Sequence, residues 1–138
     1  MQKKIMIIED DKGIGFFLKE ALGEEGYNIS VFESVEDAIP ALSRDTDLII
    51  LDIKLPGMDG LTAIDLIKRI TDIPVIISTA YGTRKNAQEA MKKGADDFFV
   101  KPVPLEELKV VVSRTIKRYE IKREIEIQKA KKYEDQQF

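Results

Sequence analysis

The residues able to do chemistry stand at the ends of short apolar runs. Ile5-Met6-Ile7-Ile8 runs into Glu9-Asp10-Asp11, and Leu48-Ile49-Ile50-Leu51 runs into Asp52. Val75-Ile76-Ile77 leads to Ser78-Thr79, and Phe98-Phe99-Val100 stops at Lys101-Pro102. If these runs are parallel strands, their carboxyl ends gather three carboxylates, a hydroxyl and one ammonium at one rim. Carboxylates crowded together repel; at an effective dielectric of about 20, each close pair costs about 4 kcal/mol. Either one takes a proton or a cation is bound. Magnesium suits a site of oxygen ligands that keeps several waters. With the cation in place Asp52 stays ionised and can attack a phosphorus atom, while the cation and a lysine share the charge on the phosphoryl oxygens. The chemistry expected is phosphoryl transfer to a carboxylate.

The elements that must hold these groups are legible in the periodicity. Lys4 to Ile8 reads as the first strand. Ile14, Phe17, Leu18, Ala21 and Leu22 then form the stripe of an amphipathic helix, with Gly26 able to stop it. Tyr27 to Phe32 alternates as a half-buried strand does. Ser34 with Asp37 resembles a capping box at the head of a second helix. Pro40 lies inside that helix and is expected to weaken or kink it, because proline removes a backbone donor. Asp47 to Leu51 is a continuous apolar strand, buried on both faces. After a loop rich in Pro and Gly, Leu61, Ile64, Ile67 and Ile70 mark a third helical face. Val75 to Ser78 is the fourth strand. Ala87, Ala90, Met91 and Gly94 mark a short helix, and Asp97 to Val100 is the fifth strand. Leu108, Val111, Val112, Thr115, Ile116 and Tyr119 give the core side of a last helix. Strand then helix, five times, predicts an α/β fold with a parallel sheet covered on both faces. Such sheets bind ligands beyond the carboxyl ends of their strands, where the acidic residues fall.

Composition removes several alternatives. The chain has 138 residues and is 43% apolar, enough for one domain with a full core. It contains no Cys and no His, so disulfides, thiolate nucleophiles and imidazole-based triads are excluded. A net charge of −3 argues against nucleic-acid binding by this chain itself. No apolar run approaches a membrane span and none has the form of a signal peptide, so a cytoplasmic protein that does not enter the membrane is expected. No phosphate-cradling G-x-x-x-x-G-K-[ST] or G-x-G-x-x-G loop occurs, which disfavours a nucleotide-binding module.

Glu9-Asp10, Asp52 with Pro56 and Asp59-Gly60, Thr79-Ala80, and Lys101-Pro102 together resemble the receiver domain of two-component response regulators. The resemblance covers about residues 3–118. It implies a doubly wound, flavodoxin-like five-stranded sheet in the order 2-1-3-4-5. It also implies that Asp52 accepts a phosphoryl group from a histidine kinase or histidine phosphotransfer protein. Magnesium is then held by Glu9, Asp10, Asp52 and the backbone carbonyl of Lys54. Thr79 offers its hydroxyl to the phosphoryl oxygen, Lys101 pairs with the phosphoryl group, and Phe98 takes the place of the aromatic switch residue. The Lys101–Pro102 bond is expected to be cis. Chemistry of this kind is self-catalysed phosphoryl transfer and release, not turnover of a substrate.

Each of these residues has a plainer role to set against the functional one. Asp11 and Asp59 suit helix N-caps, so both are left out of the metal shell. Phe98 and Phe99 are adjacent on a strand and point to opposite faces, so either could simply fill core. Thr79 alone is an ordinary strand-end threonine, and Lys101 alone a surface charge. An aspartyl-phosphate hydrolase resembles a pattern with a second aspartate two positions after the nucleophile, where this chain has Lys54. A degenerate receiver used only for contacts is at odds with the intact set. Lys54 and Tyr81 are expected to overhang the site and hinder a hydrolytic water, and Gly15 replaces a basic residue often found there in the family.

The division expected is a receiver over 1–118 and a charged helical extension or linker over 119–138. From Lys117 onward there are seven Lys or Arg and five Asp or Glu, and the apolar positions hold no clean heptad. The receiver is expected either to control an output domain, as in transcriptional regulators, or to act alone as a phosphorelay or docking protein. A homodimer through residues 83–119 is a further expectation.

Overall fold

The computed structural model describes residues 2–55, 57–80 and 84–137. Five strands run in parallel: β1 (Lys4–Ile8), β2 (Asn28–Phe32), β3 (Thr46–Asp52), β4 (Val75–Thr79) and β5 (Asp97–Val100), in the order β2-β1-β3-β4-β5. Between and after them lie α1 (Lys12–Glu24), α2 (Val35–Ala38), α3 (Gly60–Ile70), α4 (Arg84–Lys92) and α5 (Leu105–Gln137). The doubly wound order expected from the resemblance is the order found.

The sheet divides two apolar layers, because successive side chains on a strand point to opposite faces. Ile5, Ile7, Leu48, Ile50, Ile76 and Phe99 pack against Leu18 and Leu22 of α1 and Leu108 and Val112 of α5. Met6, Ile8, Ile49, Leu51, Val75 and Ile77 pack on the other side against Val35, Ala63, Ile64, Ile67 and Ala90. The central strands are thus buried on both faces, as their unbroken apolar runs require.

Local signals act as their chemistry dictates. Asp11 Oδ1 accepts from Ile14 N at 3.0 Å and starts α1; Asp59 Oδ1 accepts from Thr62 N at 2.9 Å and starts α3. Gly26, with φ +92°, carries the chain out of α1 in a conformation that side chains resist. Ser34 caps α2, but that helix lasts one turn before Pro40 turns the chain into a 3-10 segment over Ile39–Ala41. Three expected core positions are exposed instead. Ile70 (52%) and Met91 (40%) lie in the last turns of their helices, and Phe17 (43%) borders an open groove.

The last helix outruns the domain. Its buried positions end at Ile116, Tyr119 is half-buried, and 120–136 are exposed throughout. Lys3 Nζ meets Glu120 Oε1 at 2.7 Å and ties the start of this extension to the residue that precedes β1. Among the described residues no helix is long and apolar enough to cross a membrane.

Candidate phosphoryl-acceptor site

β1, β3 and β4 end side by side, and their last residues form the floor of the site. Register pairs Ile8 with Leu51 and Asp52 with Ser78, so Glu9, Asp52 and Thr79 leave the sheet at nearly one level. Glu9 N still donates to Phe32 O at 2.9 Å, which holds its side chain in the sheet's carboxyl rim. Glu9 and Asp52 are 3% and 5% exposed, whereas Asp10 is open to solvent. One carboxylate oxygen from each of the three lies within 4.8 Å of the others.

The positive charge comes from the far strand. Lys101 Nζ stands 2.7 Å from Glu9 Oε1 and 3.1 Å from Asp52 Oδ2. Its backbone is tied down as well, with Lys101 N donating to Thr79 O at 2.7 Å, and the Lys101–Pro102 bond is cis as expected. Asp52 Oδ1 accepts from Lys54 N at 3.0 Å, so the loop after β3 curls back over the carboxylate. Glu9 Oε2 accepts from Asp11 N at 3.2 Å.

Burial decides the protonation of this cluster. Desolvation, then the adjoining Asp52, pushes the Glu9 carboxyl up to about 7 against the opposing pull of Lys101. Burial draws the Lys101 ammonium down, yet Glu9 and Asp52 together outweigh it and raise its pKa above the ordinary value. Two buried carboxylates beside a single ammonium leave excess negative charge. The oxygen donors Glu9, Asp10 and Asp52 are of the kind a hard divalent cation such as magnesium takes, so the residues present fit that ion.

The structure therefore brings Glu9, Asp10, Asp52 and Lys101 together. Thr79 is buried at the end of β4 beside them. Phe98 lies apart from the acidic cluster on the edge strand, 37% exposed, while Phe99 beside it faces the core at 2%. Lys54 is exposed next to Asp52. Tyr81, the other residue expected to overhang the site, lies outside the described residues.

Two glycines matter more than the sequence pattern reveals. A Cβ on Gly60 would fall 2.5 Å from Ile53 Cα and 2.9 Å from the Asp52 carbonyl oxygen. Only a bare α-carbon lets the head of α3 press on the backbone that carries the nucleophile candidate, where Gly60 N donates to Ile53 O at 2.8 Å. Gly15 is buried in α1, and a Cβ there would lie 3.2 Å from Val31 Cγ1. The basic residue that the family often has at that position is replaced by close helix–strand packing.

Known proteins agree with this architecture. The response regulator receiver domain family matches residues 5–113, and the chain belongs to it. It is 38% identical over 116 residues to the response regulator protein FleR of Pseudomonas aeruginosa, covering 83% of this chain and 24% of that protein. It is also 38% identical over 123 residues to the DNA-binding transcriptional regulator NtrC of Klebsiella pneumoniae, covering 87% and 26%. Across its curated relatives the chain spans from 24% to 54% of their length. Among solved structures, NtrX from Brucella abortus superposes with a TM-score of 0.87 at 30% identity, covering 91% of this chain and 30% of that one. A response regulator receiver domain protein from Clostridium thermocellum superposes at 0.80 and 30% identity, covering 86% and 98%.

Proposed function

We propose that this receiver takes a phosphoryl group on Asp52 from the phosphohistidine of a kinase or phosphotransfer protein. The observation that carries this reading is the Asp52 carboxylate itself. It is buried at the end of a central strand, 3.1 Å from an ammonium and grouped with two further carboxylates. An Asp52 carboxylate oxygen forms the new bond to phosphorus as the phosphorus–nitrogen bond breaks. The histidine nitrogen leaves with the electron pair and is reprotonated from solvent. Lys101 neutralises charge on the transferred group, and the Thr79 hydroxyl donates to one of its oxygens.

Glu9, Asp10, Asp52 and the Lys54 carbonyl are the proposed holders of magnesium, which when bound offsets the negative charge of the rim and of the incoming phosphoryl group. A groove of about 570 Å³ opens beside Lys101, between Phe17 on α1 and Val103 after β5. Its apolar walls suit the docking of a donor protein close to Asp52.

Phosphorylation is proposed to bias a two-state balance in which Thr79, Lys101 and Phe98 shift together. The residues exposed beside Phe98, namely Val100 and Val110, form the face through which self-association is proposed. The receiver is taken to be the segment 1–118, with 119–138 a linker helix, in the cytoplasm. Similarity to the DNA-binding transcriptional regulator NtrC favours a transcriptional output over a lone relay role. Labelling with a small phosphodonor and magnesium tests the assignment. Asp52→Asn should abolish it, and retention of the label would refute the reading.

A further inference from the structure

α5 leaves the folded unit through three successive residues, each held by a different segment. Arg118 Nη1 donates to the Asp96 carbonyl oxygen at 3.1 Å, in the turn that opens β5. The Tyr119 hydroxyl donates to Asp72 Oδ1 at 3.0 Å, in the loop that opens β4. Glu120 Oε1 takes Lys3 Nζ at 2.7 Å, just before β1. Successive helix residues point about 100° apart, so the three contacts grip more than half the circumference of the helix. We propose that this collar makes the rest of α5 a stiff arm whose direction is set by the openings of β4 and β5.

The collar is itself braced. Lys68 Nζ donates to Ile73 O at 3.2 Å and meets Asp96 Oδ2 at 2.9 Å, so one ammonium ties the loop before β4 to the turn before β5. Asp96 Oδ2 also accepts from Val75 N at 2.8 Å, at the first residue of β4. From the next turn of the helix, Arg123 places its guanidinium over the Tyr119 ring, 5.9 Å from the ring centre. An exposed pair alone holds a side chain weakly. Three on one turn of helix, from three segments, fix the axis, because any tilt must break at least one of them.

Beyond the collar the helix sustains itself. Leu105–Gln137 contains neither Gly nor Pro, and the good helix formers Glu, Lys, Arg and Gln fill most of 120–137. The costly first turns are already formed inside the domain, where Leu108, Val112 and Ile116 are buried. From Glu120 to Gln137 the arm extends roughly 25 Å. β4 runs from the collar to Thr79, and β5 runs from it to Val100, next to Lys101. A displacement of either strand is therefore felt at the collar and magnified along the arm.

The chain has no cysteine, so spin labels go only where cysteines are introduced. Lys19→Cys on α1 and Lys132→Cys on the arm use exposed positions. The distance between the two labels is read by dipolar electron resonance on the full chain, without magnesium or phosphodonor. None of the collar contacts involves Asp52, so the outcome stands whether or not Asp52 is the acceptor. One narrow distance distribution is expected. Arg118→Gln, Tyr119→Phe and Glu120→Gln combined should broaden it and erase its single maximum, with helicity by circular dichroism unchanged. Tyr119→Phe alone, which keeps the ring, should broaden it part-way and guards against misfolding of the combined variant. Lys68→Met breaks none of the three collar bonds but cuts the tie between the two loops, and it should displace the maximum. A broad distribution in the chain carrying the two cysteines alone would overturn the proposal. So would collar variants as narrow as that chain, which would show that the helix keeps its direction without the collar. A Lys68→Met maximum left in place would overturn the part assigned to the openings of β4 and β5.

Discussion

Lys101 Nζ lies 3.1 Å from Asp52 Oδ2 and closes a bridge between the edge strand and the centre of the sheet. The same ammonium meets Glu9 at 2.7 Å, and the Lys101 backbone is bonded to Thr79 at 2.7 Å. A phosphoryl group on Asp52 would change what Lys101 faces. Through that backbone bond a shift of Lys101 would be felt by Thr79, and through β5 by Phe98.

Lys101→Met should therefore have two effects. Removing the ammonium leaves Glu9 and Asp52 buried without their counter-charge, and chelated protein should lose about 3 kcal/mol in urea unfolding. Magnesium should restore part of that loss. Phosphodonor should then no longer alter the surroundings of Phe98, read by NMR. A response equal to wild type would contradict the coupling.

The pH dependence of the metal-free protein should carry the signature of Glu9. Its folded pKa, about 7, is raised above the ordinary 4.5 by burial first and Asp52 second. Stability from the protonated carboxyl is thus fully present below the ordinary value and is lost as pH rises through about 7. Glu9→Gln keeps the neutral form at every pH. Its stability relative to wild type should improve by roughly 2–3 kcal/mol between about pH 5 and pH 8 in chelator. A difference that stays flat across that range would show that Glu9 is not perturbed.

Gly60→Ala and Gly23→Ala should have opposite signs. At Gly60 the added methyl meets backbone at 2.5 Å, and a cost of about 1–3 kcal/mol is expected, with weaker labelling of Asp52 as its loop is displaced. At Gly23, within α1, an added Cβ meets nothing within 4 Å, and alanine should stabilise by about 0.5–1 kcal/mol. Thermal unfolding of the two variants settles the comparison; equal effects would contradict it.

Self-association should follow phosphorylation. Val110 is 56% exposed on α5, next to Phe98 and Val100 on β5. Sedimentation is expected to show a larger species with phosphodonor, absent in Val110→Glu and retained when 120–138 are deleted. A chain that stays monomeric with phosphodonor would exclude this face as a self-association surface.

Much of this architecture could be read from the chain. The apolar runs before Glu9, Asp52 and Thr79 are strands buried on both faces, and the run before Lys101 is an edge strand buried on one; their shortness and their alternation with helical stripes made them legible as strands. Asp11 and Asp59 were legible as caps because a short carboxylate at a helix start has one dominant use. Pro40 marked the early end of α2 for the same kind of reason. What stayed hidden depends on contacts between distant segments. Gly60 looks like a loop residue until α3 is seen lying on the Asp52–Ile53 backbone. The raised pKa of Glu9 needs its burial and its distance to Asp52 and Lys101, neither of which is local. Phe17 fitted the helical stripe, yet the groove beside Lys101 leaves it half-exposed.

The central claim is that Asp52 is the phosphoryl acceptor, and intact-mass measurement after incubation with acetyl phosphate and magnesium tests it most directly. One base-labile phosphoryl group per chain is predicted, lost in chelator and absent in Asp52→Asn. Full labelling of Asp52→Asn, or labelling indifferent to magnesium, would contradict the account.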